Sequence, residues 1–419
     1  MYALVDAVSF YASAEKVFDP SIRNKPVVVL TNNDGCICAV CPIARKLGIP
    51  KFVPYFQIKN LLHKNNVVVR SSNYELYADL SERMMNVISM YCDDQYIYSI
   101  DESFLLFKNY AGLIKDWHKY GHEIRRAIWK ETKLPVGVGF GTTSTLAKAA
   151  NHAAKKLKGY NGVAVIDSPN SAKEILEKMD VGDVWGIGRK IAKRLQQQDI
   201  TTAFQLSAMS AKAIRKEFSV VTERTVNELN GISCLSWDEV REPKQQIFST
   251  RSFGQRILDI HVLQAALAKH AAIVAKKLRH QSSLVKKLVI FASSSPHDDD
   301  NYYKQSIVYK YPVATDNDSD LARAISEVIN DIFKPGVKFY RCGIGAVELE
   351  SRRFQQTDLF MPDNSNPALM KCLDKINKRY GQGTLKLGAE GKSQAFAMRR
   401  EFLSPQYTTR WKDIPKITC

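Results

Sequence analysis

Short apolar runs alternate with amphipathic stretches in the first half of the chain. Residues 2–5 and 26–30 form short apolar segments, which predicts two buried strands. Between residues 74 and 91 the apolar positions recur every three or four residues, as they do in an amphipathic helix. A glycine-rich strand is predicted at 134–141, and the Thr-Thr-Ser-Thr segment after it can cap a helix that runs through Lys158. This alternation is typical of an α/β or α+β core.

The second half has a similar pattern after a polar, proline-containing segment at residues 241–246, which predicts a linker. Residues 261–281 carry one apolar stripe with lysine and arginine outside it, which predicts a basic amphipathic helix. The later elements are predicted as a strand at 288–292, a strand at 307–311, a helix at 321–333 and a strand at 343–349. Together these elements predict a small α+β domain.

Length and charge narrow the possible classes of protein. A chain of 419 residues exceeds the size at which a single core keeps growing, so roughly three domains are expected. Lys and Arg outnumber Asp and Glu by 60 to 43, and the net charge of +17 favours a polyanionic partner. Nucleic acid fits better than a membrane, because no basic amphipathic anchor, lipidation motif or apolar span accompanies the charge. We therefore expect a cytoplasmic, nucleoid-associated protein without a membrane partner.

Two acidic sites within apolar segments suggest catalysis. Asp6 closes the apolar opening, and the pair Asp101-Glu102 interrupts residues 98–107. A lone Asp is often a turn residue and an acidic pair is often a solvated edge, but ionised carboxylates on adjacent buried strands require compensation. A hard divalent cation such as Mg²⁺ would supply it, which suggests phosphoryl or nucleotidyl transfer. Since successive strand residues face opposite ways, Asp101 and Glu102 can share a site only at a hairpin tip or bulge.

Three further patterns involve lysines, glycines and cysteines. Lys148 and Lys155 are seven residues apart on one helical face, where they could reach phosphates or form a solvated face. The G-x-G-x-G spacing at 137–141 only partly matches the dinucleotide fingerprint, because its third glycine is misplaced. The cysteines at 36–41 resemble half of a zinc knuckle, but no second cluster follows at ligand spacing.

Residues 184–195 match a helix-hairpin-helix DNA-binding element. Gly186 and Gly188 permit a tight turn whose backbone N–H groups can face a phosphate, and Arg189 and Lys190 add positive charge. The sequence departs from the motif at Asp199, where glycine is usual. Asp tolerates the left-handed conformation and can occupy this position, although the turn can differ from that of the usual motif.

Taken together, these segments resemble the Y-family translesion DNA polymerases over residues 1–350. The residues that carry the resemblance are Asp6, Phe10-Tyr11-Ala12-Ser13-Ala14-Glu15, Tyr77-x-x-x-Ser81, Ser99-Ile100-Asp101-Glu102, Leu146-Ala147-Lys148 with Lys155, and Trp185-Gly186-Ile187-Gly188. Within that family, residues 31–36, 72–79 and 403–411 look like the UmuC-type catalytic subunits of bacterial DNA polymerase V. The resemblance thus extends almost to the last residue.

The resemblance implies an α+β multidomain protein shaped as a right hand. The implied domains are a palm at 1–18 and 72–165, fingers at 19–71, a helical thumb with the helix-hairpin-helix at 166–238, an α+β little finger at 247–350, and a C-terminal clamp-binding and accessory region at 351–419. It also implies error-prone, template-directed translesion DNA synthesis in the SOS response to DNA damage, with primer-template DNA and dNTPs as substrates.

By the same resemblance, Asp6, Asp101 and Glu102 are the catalytic carboxylates that bind two Mg²⁺ ions, for which Mn²⁺ can substitute. Tyr11 stands where this family carries the steric gate against a ribose 2′-hydroxyl, with Phe10 behind it. Arg45 and Lys155 match positions that bind the incoming triphosphate. Many relatives have a tyrosine three residues before that arginine, whereas this chain has Pro42.

The resemblance also implies protein partners. Gln356, Asp358, Leu359 and Phe360 match the pentapeptide that binds the sliding clamp (beta), in which an aliphatic-aromatic pair fills a hydrophobic pocket. A processed UmuD′-type subunit and a RecA filament are the other implied partners.

Two other functions remain open at the level of sequence. A non-enzymatic DNA-binding scaffold would use the hairpin and the basic helix, while the carboxylates only stabilise the fold. A metal-dependent nuclease would use the same carboxylates but would shorten a primer instead of extending it.

Overall fold

A computed structural model describes residues 1–108, 110, 112–235, 243–298, 301–354, 366–391 and 398–415. The chain forms two compact units. The first contains residues 1–239 and 400–419, and the second contains residues 240–399. The polypeptide therefore leaves the first unit once and returns to it near its C-terminus. No helix among the described residues is both long enough and apolar enough to cross a membrane.

The first unit is built on two sheets. Its strands are β1 Tyr2–Ala7, β2 Val27–Leu30, β3 Ile37–Val40, β4 Val68–Ser71, β5 Gln95–Ile97, β6 Glu102–Leu106, β7 Val136–Gly141 and β8 Val163–Ile166. The larger sheet has the order β5-β6-β1-β7-β8, and the smaller one has the order β3-β2-β4. Strand β1 is antiparallel to both β6 and β7, whereas β7 and β8 are parallel.

Eleven helices surround these sheets in the described part of the first unit. They are α1 Phe10–Glu15, α2 Pro42–Lys46, α3 Tyr55–Lys64, α4 Tyr74–Ser89, α5 Trp117–Thr132, α6 Ser144–Lys156, α7 Pro169–Glu177, α8 Arg189–Gln196, α9 Ala203–Ser207, α10 Ala211–Glu217 and α11 Val220–Leu229. Side chains of β1 alternate between the two faces of the sheet: Ala3 and Val5 join the main core, and Leu4 packs with Phe104 and Ala147 of α6.

The glycine-rich strand is explained by close packing of α6 on β7. A Cβ atom on Gly139 would lie 2.0 Å from the backbone nitrogen of Asn151, and one on Gly141 would lie 2.3 Å from that of Ala147. The partial dinucleotide fingerprint therefore has a structural role, since these two glycines let the helix backbone approach the sheet.

The C-terminal segment lies against the first unit. The N–H of Ser71 at the end of β4 donates to the Phe402 carbonyl at 3.0 Å, and the Phe402 N–H donates to Ser71 Oγ at 2.9 Å. The Phe402 ring packs edge-on against Tyr55, and Tyr407 stacks on Phe18 at 5.2 Å. Phe402 and Tyr407 thus pack against this core.

The second unit is a four-stranded antiparallel sheet with helices. Its elements are β9 Ile247–Ile257, α12 Ile260–Gln281, β10 Ser283–Ser294, β11 Lys304–Thr315, α13 Asp318–Ile332, β12 Phe339–Ser351 and α14 Pro367–Tyr380. The strand order is β11-β10-β12-β9. Helix α14 is attached to α12 by an ion pair between Arg279 Nε and Asp374 Oδ2 at 2.7 Å.

Most predicted elements are present, with different ends. The predicted strand at 288–292 is the centre of the longer β10, and the helix expected to reach Lys158 ends at Lys156. Strand β9 was not predicted, because it contains no continuous apolar run and its polarity does not alternate with burial: the polar Ser249 is buried and the apolar Phe248 is exposed. Residues 241 and 242 of the predicted linker lie outside the described residues.

Candidate active site

The three predicted carboxylates lie at one end of two adjacent strands, β1 and β6, in the larger sheet of the first unit. Asp6, near the end of β1, is the cross-strand partner of Glu102, the first residue of β6. Asp101 is in the turn before β6, and its carbonyl accepts a hydrogen bond from the Ala7 N–H at 3.0 Å. The prediction that the two acidic segments are neighbours is confirmed.

The expected change of direction at Glu102 is also present. The N–H groups of Tyr98 and Ser99 both donate to the Glu102 carbonyl, at 3.0 and 3.1 Å, which closes the hairpin between β5 and β6. The Ser99 hydroxyl donates to Asp101 Oδ1 at 2.6 Å. Strand β6 therefore begins at Glu102, and Asp101 precedes it. The alternation of side chains along a strand does not apply to Asp101, so it does not direct the two acids to opposite faces of the sheet.

Lysines of α6 neutralise two of these acids. Lys155 Nζ is 2.5 Å from Asp6 Oδ2, and Lys148 Nζ is 3.1 Å from Glu102 Oε2. Burial raises the pKa of Asp6 to about 6, with Glu102 and Asp101 also raising it, while Lys155 opposes the rise. The two lysines share a helical face, as their spacing predicted, but that face is directed at carboxylates.

Gly137 makes room for Lys155. It lies opposite Asp6 on β7, and a Cβ atom there would be 2.6 Å from Cγ and 2.8 Å from Cδ of the lysine. The first glycine of β7 thus leaves space for the alkyl part of the Lys155 side chain, which passes over Gly137 to reach Asp6.

Lys148 is also surrounded by aromatic rings. Its Nζ lies 4.5 Å from the centroid of Tyr98 and 5.1 Å from that of Trp185. These cation-π contacts connect the turn after β5, helix α6 and the hairpin that follows Val184. The role of Tyr98 was missed from the sequence, since an aromatic residue beside an apolar strand is usually a core residue.

The donor set suits a hard cation, although the described residues contain no ready-made group of three His, Cys, Asp or Glu side chains that could hold a metal ion. Asp6, Asp101 and Glu102 offer carboxylate oxygens, the ligands that Mg²⁺ prefers. The ammonium group of Lys155 rests on Asp6, which marks a position where positive charge is favourable. The residues therefore fit magnesium if the two lysines turn aside.

Further cations lie beside the acids. Arg45 Nη2 donates to the Ser9 hydroxyl at 3.3 Å, in the turn between β1 and α1. Burial lowers the pKa of Lys51, and repulsion from Arg45 and Lys155 lowers it further, while Asp101 raises it. Lys51 was missed from the sequence because no pattern around it marks it out. Arg45, Lys51 and Lys155 could together bind a polyphosphate.

Tyr11 lies within a cluster of tyrosines. It is half-buried and stacks on Tyr77 with ring centroids 4.5 Å apart and planes at 15°. Tyr74 contacts it edge-on at 6.2 Å. Phe10 is only 3% exposed and belongs to the core, as expected for the residue behind Tyr11.

The helix-hairpin-helix element has the expected backbone. Gly186 has φ of +91°, and Gly188 is the N-cap of α8. Both glycines are exposed, as are Arg189 and Lys190 in the first turn of that helix. Asp199 adopts φ of +61°, so it takes the left-handed conformation that the usual glycine would take. The predicted clamp-binding residues, Gln356, Asp358, Leu359 and Phe360, lie outside the described residues.

Four family models match the chain. The impB/mucB/samB family matches residues 5–152, the IMS family HHH motif matches residues 169–200, and the impB/mucB/samB family C-terminal domain matches residues 244–359. A domain of unknown function matches residues 367–417. The matched segments follow one another along almost the whole chain.

Curated relatives are similar over their full length. The chain is 40% identical over 422 residues to Protein UmuC of Salmonella typhimurium, covering 100% of both chains. It is 37% identical over 421 residues to Protein ImpB of the same organism, covering 99% of each. DNA polymerase IV 1 of Bacillus subtilis is 26% identical over 419 residues, covering 96% of this chain and 97% of the relative.

Solved structures of Y-family DNA polymerases share the fold. The chimera Dbh-Dpo4(243-245)-Dbh aligns with a TM-score of 0.63 and 20% identity, covering 82% of this chain and 98% of the chimera. The insertion ternary complex of Dbh DNA polymerase aligns with a TM-score of 0.53 and 19% identity, covering 84% and 99%. The predicted fold class is confirmed.

Proposed function

The chain belongs to the impB/mucB/samB family of Y-family translesion DNA polymerases, and from this we propose that it joins nucleotides with two metal ions held by Asp6, Asp101 and Glu102. The observation that carries this proposal is the pairing of β1 with β6, in which Asp6 lies opposite Glu102 and next to the turn that holds Asp101. Acids from two segments that are distant in sequence meet there, at one end of adjacent strands and beside several cations.

The ions would be Mg²⁺, or Mn²⁺ in its place, and when bound they would promote attack by the primer 3′-hydroxyl and neutralise charge on the triphosphate. The protein's part is to keep the acids ionised and in place. Asp6 is mostly ionised above a pH of about 6, Ser99 fixes Asp101 through a 2.6 Å hydrogen bond, and the hairpin turn fixes Glu102. Lys148 and Lys155 hold the acids before the substrates arrive.

The incoming nucleotide would lie between the acids and the cations. Arg45 and Lys155 would bind its triphosphate, with Lys51 adding a third positive charge. Tyr11 would be the steric gate that excludes a ribose 2′-hydroxyl, and Phe10 would support it from the core. Such a site would accept a dNTP and transfer its nucleotide to the primer, with pyrophosphate as leaving group.

DNA would be held further along the chain. The N–H groups around Gly186 and Gly188 would bind a backbone phosphate, and Arg189 and Lys190 would add charge that salt screens. We further propose the domain boundaries stated above. The proposed partners are a sliding clamp bound by residues 356–360, a UmuD′-type subunit and a RecA filament. The protein would act in the cytoplasm, in the SOS response.

The test is primer extension by the full-length protein and its Asp101→Ala variant. The variant is expected to lose Mg²⁺-dependent extension by at least about a thousandfold, as when a main transition-state contact is removed. Its salt-sensitive DNA binding, measured by fluorescence anisotropy, should stay within about twofold. Asp331→Ala, at an exposed position of α13, is the matched control and should extend normally.

The same assay separates the alternatives. Extension by Asp101→Ala at the wild-type rate would refute the role assigned to Asp101, whereas salt-sensitive DNA binding without any extension by the wild-type protein would favour a DNA-binding scaffold. A primer that becomes shorter in the presence of Mg²⁺ without dNTPs would identify a nuclease instead.

A further inference from the structure

Ser404, in the C-terminal segment of the first unit, is buried beside the first turn of α4. The Asn73 side chain donates from Nδ2 to Ser404 Oγ at 2.9 Å and to the carbonyls of Ser404 and Pro405, each at 3.2 Å. The other end of the same amide, Oδ1, accepts from the Leu76 N–H and so caps α4. Ser404 is only 4% exposed, so these contacts are shielded from water.

Glu15 of α1 is a second buried group near Ser404. It is only 1% exposed and accepts a hydrogen bond from the Tyr77 hydroxyl at 2.6 Å. Burial raises the pKa of Glu15, and the side chains of Tyr77 and Ser404 oppose the rise. The guanidinium of Arg70 lies 3.7 Å from the other carboxylate oxygen. Glu15 thus lies between the C-terminal segment and the Tyr77 hydroxyl of α4.

Tyr77 is the surface on which Tyr11 rests. Its ring is fully buried and lies nearly parallel to that of Tyr11, at 4.5 Å. A path of hydrogen bonds therefore leads from Ser404 through Asn73 to the helix backbone that carries Tyr77, the ring that supports Tyr11. Glu15 holds the same ring at its hydroxyl end.

Neighbouring contacts hold the segment in the same place. Arg400 Nη1 is 3.1 Å from Glu75 Oε2, in the first turn of α4. The Glu401 N–H donates to Asp34 Oδ2 at 2.8 Å, and Asp34 in turn accepts from the Ser71 hydroxyl at 2.6 Å. The segment thus connects β4, α1 and the start of α4 around one side of the tyrosine cluster.

We propose that Ser404 is a positioning residue for sugar selection: the C-terminal segment 400–407 fixes Tyr77, and through it the height of Tyr11 over the nucleotide sugar. The inference rests on the proposed function, in which Tyr11 is the gate. It assigns to the end of the chain, within the segment matched by the domain of unknown function, a part in distinguishing deoxyribonucleoside from ribonucleoside triphosphates.

The test compares single-nucleotide insertion of a dNTP and its matching rNTP by full-length variants. Ser404→Ala removes one acceptor for the Asn73 side chain and a hydroxyl near Glu15. We expect its preference for dNTP over rNTP, measured as the ratio of kcat/KM values, to fall about three- to tenfold, the effect of a lost hydrogen bond. The KM for dNTP should rise more than kcat falls, because the metal-binding acids are untouched.

Two further variants make the result specific. Tyr77→Phe releases the same ring from its other end, so its loss of preference should be similar, and the double variant should lose little more than either single one. This second variant also keeps the test valid if Ser404→Ala fails to fold. Thr409→Ala, at an exposed position two residues beyond that segment, should keep the wild-type preference.

The outcomes are distinguishable from those for the proposed function. If Tyr11→Ala accepts rNTPs while Ser404→Ala and Tyr77→Phe keep the wild-type preference, the inference is overturned and the polymerase assignment stands. If the wild-type protein inserts no nucleotide, the proposed function fails, and the inference with it.

Discussion

Replacing Gly139 by alanine should separate α6 from the sheet and disturb the candidate site. The new Cβ would lie 2.0 Å from the Asn151 nitrogen and 2.5 Å from the Ala147 carbonyl oxygen. Since real Cβ contacts do not fall below 3.0 Å, the shortest distance must grow by about 1 Å, from 2.0 to 3.0 Å. Both obstructing atoms are backbone, so no side-chain rotation relieves the clash.

The expected cost lies at the upper end for overpacking, about 3 kcal/mol. For a unit of this size, with a slope of roughly 3 kcal/mol per molar urea, the unfolding midpoint should fall by about 1 M. Tryptophan fluorescence reports on the relevant unit, because all five tryptophans fall within residues 1–239 and 400–419. A shift of about 1 Å in the helix that carries Lys148 and Lys155 should also lower primer extension by about a hundredfold.

Gly188→Ala is the matched control for stability. Gly188 has no atom within 4 Å of an added Cβ and has an ordinary φ of −79°, so its midpoint should change by less than about 0.3 M, or about 1 kcal/mol. An unchanged midpoint for Gly139→Ala would refute the described contact between α6 and β7, and with it the explanation of the glycine-rich strand.

Two other predictions concern the second unit and the clamp. Burial, with repulsion from Arg251, lowers the pKa of His270 to about 4 from its usual 6.5. The unfolded chain therefore binds a proton that the folded chain excludes, so stability should fall by about 3 kcal/mol as the pH drops from 6.5 to 4; an NMR titration midpoint near 6.5 would contradict this. Replacing Leu359 and Phe360 by alanine should lower only clamp-stimulated synthesis, and loss of clamp-independent synthesis would indicate a folding role instead.

The sequence was most informative where one periodic pattern determines the outcome. Strand alternation required a hairpin tip or a bulge if Asp101 and Glu102 share a site, and the structure has the hairpin. The shared face of Lys148 and Lys155 followed from helical spacing. The partners of those lysines did not follow, because the lysine stem reaches Asp6 only where Gly137 leaves room on another strand. Strand β9 was missed because its buried positions are separated by polar ones.

Contacts between distant segments were beyond prediction. Asn73 and Ser404 are 331 residues apart, and neither lies in a pattern that points to the other. Lys51 likewise gains its place near Asp101 from a loop. Local propensity carries no information about such pairs, since their geometry depends on how whole elements pack.

The return of the polypeptide to its first unit affects the order in which the protein can be completed during synthesis. The ribosome makes the second unit before it makes Ser404, so a nascent chain already carries all three acids while one support of the tyrosine cluster is still untranslated. A chain terminated prematurely before residue 400 would contain Asp6, Asp101 and Glu102 but would lack one support of Tyr77. If Ser404 positions Tyr77 as proposed, nucleotide discrimination requires translation of the final segment.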